Sequence, residues 1–317
     1  MLIDTVAIVV VLAVALLAGL IVFGTAAPPK VTDAMRAPFA RVELADLPAL
    51  ASFNARDGAA LAYRLYSADG SRVILLVHGS AGASESMHAL AKALQAAGTT
   101  VYAMDVRGRG GSGTPGDIAY VGQLEDDLAD VTQLLREKHP AASVSLVGYS
   151  SGAGFVLRVA GGPTGKLFDG FGLISPYLGH RAPTQRPNIG GWTVPYVPRL
   201  IGLSILDRLG FHALEGLPVV AVAATTDEPG APPLTCSYRL ARNFHPNDAF
   251  IEDFRNTPKP MTVVVGAADE VLHADRFAPT IAAVRPDIPV IVLPGLDHVG
   301  VITDPKGVMA ATEALGA

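Results

Sequence analysis

The sequence predicts an α/β fold with a mostly parallel sheet, preceded by one apolar helix long enough to cross a bilayer. Three observations carry this. Short apolar runs alternate with helical patterns over most of the chain, as βαβ units require. Gly148-Tyr149-Ser150-Ser151-Gly152 fits G-x-S-x-G between an expected strand and an expected helix. Residues 5–23 contain no charge at all.

The uncharged run comes first. Its 19 residues make a helix of about 28 Å at 1.5 Å per residue, against a hydrocarbon core of about 30 Å. A cleaved signal peptide is the competing reading, with Thr25-Ala26-Ala27 as a small-residue cleavage site. The flank Met1-Leu2-Ile3-Asp4 has no basic residue and the run is too long for a signal core, so a retained single-pass anchor over 1–27 is favoured. Lys30, Arg36 and Arg41 follow the span, which on the positive-inside rule favours a cytoplasmic C-terminal domain. Residues 28–50, opening with Pro28-Pro29, read as a linker. The remaining 317 − 50 = 267 residues suit one α/β domain over 51–317.

Composition narrows the class. Half the residues are hydrophobic and the mean hydropathy is +0.37, which excludes an intrinsically disordered chain. The formal charge, 24 − 29 = −5, argues against a nucleic-acid binder, which needs a basic face. A single cysteine, Cys236, excludes an internal disulfide framework and a cysteine zinc cluster, and it reads as an inert thiol.

Along the domain, residues 59–66 form an early strand after the turn Arg56-Asp57-Gly58. Residues 72–77 (RVILLV) are apolar throughout, the mark of a strand buried on both faces. A helix over 85–97 stops at Gly98, and 101–104 is the next strand. Residues 123–138 are an amphipathic helix with Leu124, Leu128, Val131 and Leu135 as its stripe. Residues 143–148 are a strand, 151–160 a helix and 171–175 a strand. Periodicity is lost over 176–216, which is dense in Pro and Gly and holds the sole Trp192. The alternation resumes with 218–223, then strands at 261–265 and 289–293, and a helix over 308–315.

The chemistry is expected at three turns. Ser150 is the central residue of G-x-S-x-G, flanked by glycines because side chains there would collide across a sharp turn. A serine needs a base, and His298 follows the last strand, where a loop can carry an imidazole over the sheet edge. The base needs an acid. Asp269 follows strand 261–265 and is chosen over its rivals Glu270 and Asp297. Two N–H groups would hold an oxyanion, Ser151 at the start of its helix and Ser80 in His78-Gly79-Ser80. His78 reads as orienting that loop, not as a catalyst. Residues 108–113 also fit G-x-G-x-x-G, but Pro115 and Gly116 interrupt any helix that a nucleotide site would need. His180, His212, His245 and His273 lack ligand spacing, so neither metal nor cofactor is expected.

From about residue 55 onward the chain resembles the α/β-hydrolase-fold serine hydrolases of the lysophospholipase and serine aminopeptidase kind. Four motifs in order carry the resemblance: His78-Gly79-Ser80, Asp105-Val106-Arg107-Gly108-Arg109-Gly110-Gly111-Ser112, Gly148 to Gly152, and the Asp269/His298 pair. The resemblance implies that 176–216 is a cap inserted between strands six and seven. Together these readings give a membrane-anchored serine hydrolase that cleaves small hydrophobic or lipid-like carboxylic esters through Ser150, His298 and Asp269. An acyltransferase, thioesterase or peptidase with the same triad, a haloperoxidase-like enzyme, and a non-catalytic binding module are the alternatives. Asp at the nucleophile position would be needed for dehalogenase or epoxide-hydrolase chemistry, and this chain has Ser150 there.

Overall fold

In the middle of the main sheet lies the run RVILLV. It forms β3 (Arg72–Val77), after β1 (Leu50–Asn54) and β2 (Ala60–Tyr66). The structure is a computed structural model and describes residues 2–187, 191–223, 234–246 and 249–316. Alternate residues of β3 feed two cores. Val73, Leu75 and Val77 face one side of the sheet, and Ile74 and Leu76 face the other. A strand between two helical layers needs apolar side chains on both faces, which is why no alternation is visible in its sequence.

Before the sheet come α1 (Leu2–Phe23) and α2 (Asp33–Ala40). After β3 the chain runs through α3 (His88–Ala96), β4 (Thr100–Met104), α4 (Gln123–Lys138), β5 (Ser143–Tyr149), α5 (Ser151–Gly161) and β6 (Gly170–Ile174). An inserted segment holds β7 (Thr193–Pro195), α6 (Val197–Arg208), β8 (Pro218–Val222), β9 (Leu234–Ser237), α7 (Tyr238–Phe244) and α8 (Phe250–Asn256). The chain closes with β10 (Met261–Gly266), α9 (Phe277–Ala282), β11 (Val290–Leu293), α10 (Gly300–Thr303) and α11 (Pro305–Ala314).

The main sheet has eight strands in the order β1-β2-β4-β3-β5-β6-β10-β11. β1 and β2 are antiparallel to their neighbours, and the other pairings are parallel. Helices α4 and α5 cover one face, and α3, α10 and α11 the other. This is the α/β-hydrolase fold with an apolar helix before it. The expected amphipathic helix is α4, with Leu124, Leu128, Val131 and Leu135 all buried. Acidic residues in its first turn and basic ones in its last suit the helix dipole. The side chain of Asn243, on α7, accepts the N–H groups of Gly122 (2.8 Å) and Leu124 (3.1 Å) at its start. Arg107 ties the same helix down, reaching buried Asp127 at 2.7 Å and Asp57 of the β1–β2 turn at 2.9 Å.

Four expectations change in detail. Over 85–97 the chain first makes a tight 3-10 turn, Ser84–Met87, and only then α3; Gly98 ends it at φ +86° as the expected C′ glycine. The final helix starts earlier than expected, because Asp304 caps the N–H of Lys306 (2.9 Å) and Pro305 fits the first turn. The linker over 28–50 contains α2, whose Met35 is buried. The insertion runs past Gly216 to α8, because β8 does not join the main sheet. It pairs with β7 and β9 in a separate antiparallel sheet of three strands. The insertion still lies between the sixth and seventh strands of the main sheet, β6 and β10.

Helix α1 is long and apolar enough over Ile3–Phe23 to cross a membrane and is almost wholly exposed. Among the described residues, its last two turns meet the domain, against α6.

Candidate active site

The carboxyl ends of β5, β10 and β11 point to one edge of the sheet, the usual place for a site in parallel α/β folds. Ser150 follows β5 directly and takes φ 54°, ψ −120°, a conformation side chains rarely hold outside functional turns. The flanking glycines are forced by contact. A Cβ on Gly148 would lie 2.4 Å from the Gly152 carbonyl oxygen, and one on Gly152 would lie 2.3 Å from that of His78. The turn therefore packs backbone against backbone and holds Ser150 at the crest.

Loops after β10 and β11 bring the other two residues to it. His298 Nε2 lies 3.0 Å from Ser150 Oγ, and His298 Nδ1 lies 2.8 Å from Asp269 Oδ2. Asp269 Oδ1 accepts the N–H groups of Val271 (2.9 Å) and Leu272 (2.8 Å). Both carboxylate oxygens act as acceptors here, so the ring proton on that side sits on Nδ1. Nε2 is left free to accept from the Ser150 hydroxyl. Asp269 and His298 are both buried.

Burial alone would pull the His298 imidazole down. The charge of Asp269 and its hydrogen bond, with smaller contributions from Glu270 and Asp297, outweigh this and hold it above its ordinary 6.5. Glu270 accepts the His298 N–H at 3.0 Å, so it faces the histidine loop and does not point away from it, the ground on which it is set aside as a rival to Asp269. A base must be neutral to work, so the acid limb of kcat/KM should have its midpoint above pH 6.5. Glu270→Gln keeps an acceptor for that N–H but removes a charge, and should move the limb to lower pH with little loss at the plateau. A pH–rate profile of both proteins checks this; an unmoved limb would mean that Glu270 does not reach the imidazole.

Ser80 and Ser151 come together at the cavity wall, where Ser80 Oγ donates to Ser151 Oγ at 2.6 Å. Among the described residues no group takes either backbone N–H. His78 is buried and pulled down to about 4 by that burial, so it is neutral. It donates from Nδ1 to the Gly79 carbonyl (2.7 Å) and accepts the Val106 N–H at Nε2 (3.1 Å), as expected of a loop-orienting residue. Asp105 accepts Ser84 N–H (2.6 Å) and Gly111 N–H (2.8 Å), so the G-x-G-x-x-G stretch turns back on its own loop.

Some contributors were invisible in the sequence. Tyr149 donates its hydroxyl to the His298 carbonyl at 3.2 Å and lies against the imidazole, ring centres 5.3 Å apart. Arg186 Nε donates to the Asp269 and Leu272 carbonyls at 3.0 and 2.9 Å. Arg109 donates to the Ser80 carbonyl (3.1 Å), to that of Thr235 (3.0 Å) and to Cys236 Sγ (2.6 Å). Cys236 is thus not without a neighbour, as its sequence context implies, but lies against a guanidinium. Asp207, His212 and Glu215 also meet in the cap, although their spacing gave no metal pattern. Asp207 there pairs with Arg242 at 2.6 Å.

The serine opens into a cavity of about 760 Å³, lined largely by apolar groups such as Phe39, Trp192, Leu200, Val220 and Val222. Phe39 belongs to α2, so the expected linker supplies part of the wall. Among the described residues lining the cavity there is no Asp or Glu, whereas Arg181, Arg208 and Arg242 are there.

A sheet of this order, with a strained serine between β5 and α5 and a cap between its sixth and seventh strands, defines an α/β-hydrolase. The sequence model described as Serine aminopeptidase, S33 matches residues 69–302, and the chain belongs to that family. Among solved structures it is similar to a soluble variant of monoglyceride lipase from Saccharomyces cerevisiae in complex with a substrate analogue. That pair is 17% identical with TM-score 0.62, over 86% of this chain and 95% of that one. It is also similar to a putative aryl esterase from Burkholderia cenocepacia (19% identity, TM-score 0.58, 85% and 100% covered). A third likeness is to the N-formylmaleamic acid deformylase of Pseudomonas putida S16 (22% identity, TM-score 0.57, 83% and 99% covered). No curated protein matches the chain.

Proposed function

We propose that the chain is a membrane-anchored serine hydrolase that cleaves hydrophobic, lipid-like carboxylic esters. One observation carries this: the Ser150–His298–Asp269 relay, at 3.0 and 2.8 Å, lies at the wall of a largely apolar cavity. Ser150 Oγ attacks the ester carbonyl as His298 Nε2 takes its proton, and Asp269 stabilises the imidazolium. The N–H groups of Ser80 and Ser151 hold the tetrahedral oxyanion. His298 returns the proton to the leaving alcohol. It then activates water to release the acid from Ser150. The folds of a monoglyceride lipase and an esterase, both similar to this one, accord with the reading.

The aminopeptidase in the family's name fits less well. An α-amino group is a cation, and the described lining offers it arginines and no carboxylate. With Arg242 already paired to Asp207, the lining suits neutral acyl compounds.

Chain-length dependence tests the substrate class. Each acyl methylene that enters an apolar wall contributes at most about 0.8 kcal/mol, or roughly fourfold in kcat/KM. For the full chain in detergent micelles, kcat/KM for p-nitrophenyl esters should climb from acetate and level off once the cavity is filled. A flat profile from acetate to palmitate would overturn the lipid-like assignment.

A further inference from the structure

The end of α1 is strapped to the cap. Helices α1 and α6 pack together: Ile21 and Leu203 share one buried core, Leu17, Leu200 and Leu206 lie against that core, and Gly202 leaves the room that Ile21 occupies. Buried Arg199 donates from Nε to the Ile21 carbonyl (2.7 Å) and from a terminal nitrogen to that of Val22 (3.3 Å). These are among the last carbonyls of α1, which have no partner within the helix, and the cation also suits the negative end of its dipole. A third donation, to the Pro218 carbonyl at 3.0 Å, fixes the guanidinium to β8.

On its other side α6 is apolar and uncovered. Val197, Ile201, Ile205 and Leu209 recur every four residues and are 52%, 49%, 41% and 74% exposed, with Phe211 and Leu214 continuing the patch. The first three also line the cavity. Depth follows from α1. If its span crosses the core, Leu17 lies about 9 Å inside the end at Phe23, at 1.5 Å per residue. Helices lying in a membrane interface bury their apolar face by about 5–10 Å. A helix packed on the last two turns of α1 is thereby held at the boundary of headgroups and acyl chains.

From this we infer that α6 is an interfacial helix, with its exposed stripe in the same bilayer that α1 enters, and that an acyl chain passes laterally from the leaflet into the cavity. The inference rests on α1 being a retained anchor. The occupant of the patch is lipid, because α6 is packed on the end of the apolar helix and so lies at the depth where that helix leaves the hydrocarbon.

The test uses the full chain in dioleoyl phosphatidylcholine vesicles, with a fluorophore on single introduced cysteines. Cys236 is buried, so the parent chain is the labelling blank. Labels at Leu209→Cys and Phe211→Cys should be quenched by doxyl-phosphatidylcholine, as should one at Val10→Cys in α1. A label at Lys138→Cys, on the amino-terminal edge of the sheet, should not. Quenching at Val10 but not at 209 or 211 would overturn the interfacial helix and leave the anchor standing. No quenching at Val10 would overturn the anchor and the inference with it. Shielding of 209 and 211 that follows protein concentration instead of quencher lipid would assign the patch to a second copy and overturn the inference. Leu209→Glu with Phe211→Glu leaves the described cavity lining unaltered. Turnover of a monoacylglycerol in those vesicles should fall about a hundredfold, the order expected when two large apolar side chains lose their lipid contact. Turnover of p-nitrophenyl butyrate in solution should stay the same. An equal effect on both substrates would overturn lateral entry.

Discussion

Ser150→Ala should abolish turnover while leaving the fold intact. Removal of the nucleophile in serine hydrolases lowers kcat on the order of 10⁴–10⁶-fold, and the remainder comes from binding and the oxyanion donors. Alanine is close to serine in size and meets the same strain at φ 54°, so the turn and the melting temperature should be nearly unchanged. Two measurements define the outcome: hydrolysis of p-nitrophenyl butyrate, and covalent labelling by a fluorophosphonate. Both should vanish together. Undiminished turnover in the variant would sink the assignment of Ser150. A parent chain that is folded but unlabelled and inactive would favour a binding module built on the same fold.

The second large effect belongs to Asp269→Asn, where the hydrogen-bond network decides which way the new amide points. Oδ1 is held by the Val271 and Leu272 N–H groups, and only an oxygen can satisfy both donors. The amide nitrogen must then face His298. It donates to Nδ1, so the ring proton moves to Nε2, the atom that should accept from Ser150. The base is present but in the wrong tautomer. Such a change lowers kcat about 10⁴-fold in a serine protease with its geometry retained, and the same order is expected here. Loss below about tenfold would show that Asp269 does not set the tautomer. It would then pass the role to Glu270 or Asp297, the other carboxylates whose charge reaches the imidazole.

Legibility in the sequence followed the kind of constraint that acts on each segment. β3 and α4 could be bounded to the residue because each is fixed by its own pattern, a two-faced apolar run and a helical stripe with charges suited to its ends. The meeting of Ser150, His298 and Asp269 was legible because each sits just past an apolar strand, and because the elbow tolerates nothing larger than glycine at 148 and 152. β8 was legible as a strand but not as a member of the small sheet. An apolar run carries no mark of its partner, and β9, with the sequence LTCS, gives little signal of its own. Helix α2 hides behind Pro38 in its interior. The contacts of Arg109 with Cys236, 127 residues apart, and of Glu270 with His298, 28 apart, exist only once the chain has folded.

Arg109 bears on how this chain can be altered. One buried guanidinium holds both the carbonyl of Ser80 and the strand Leu234–Ser237, through Thr235 and Cys236. The insertion is therefore not a detachable module resting on a finished catalytic base. A chimera that exchanges it for a relative's cap strips Arg109 of those two acceptors beside Ser80, whose N–H is the proposed oxyanion donor. A graft meant to change only substrate choice would alter rate as well, unless it carried acceptors for that arginine at the positions of Thr235 and Cys236.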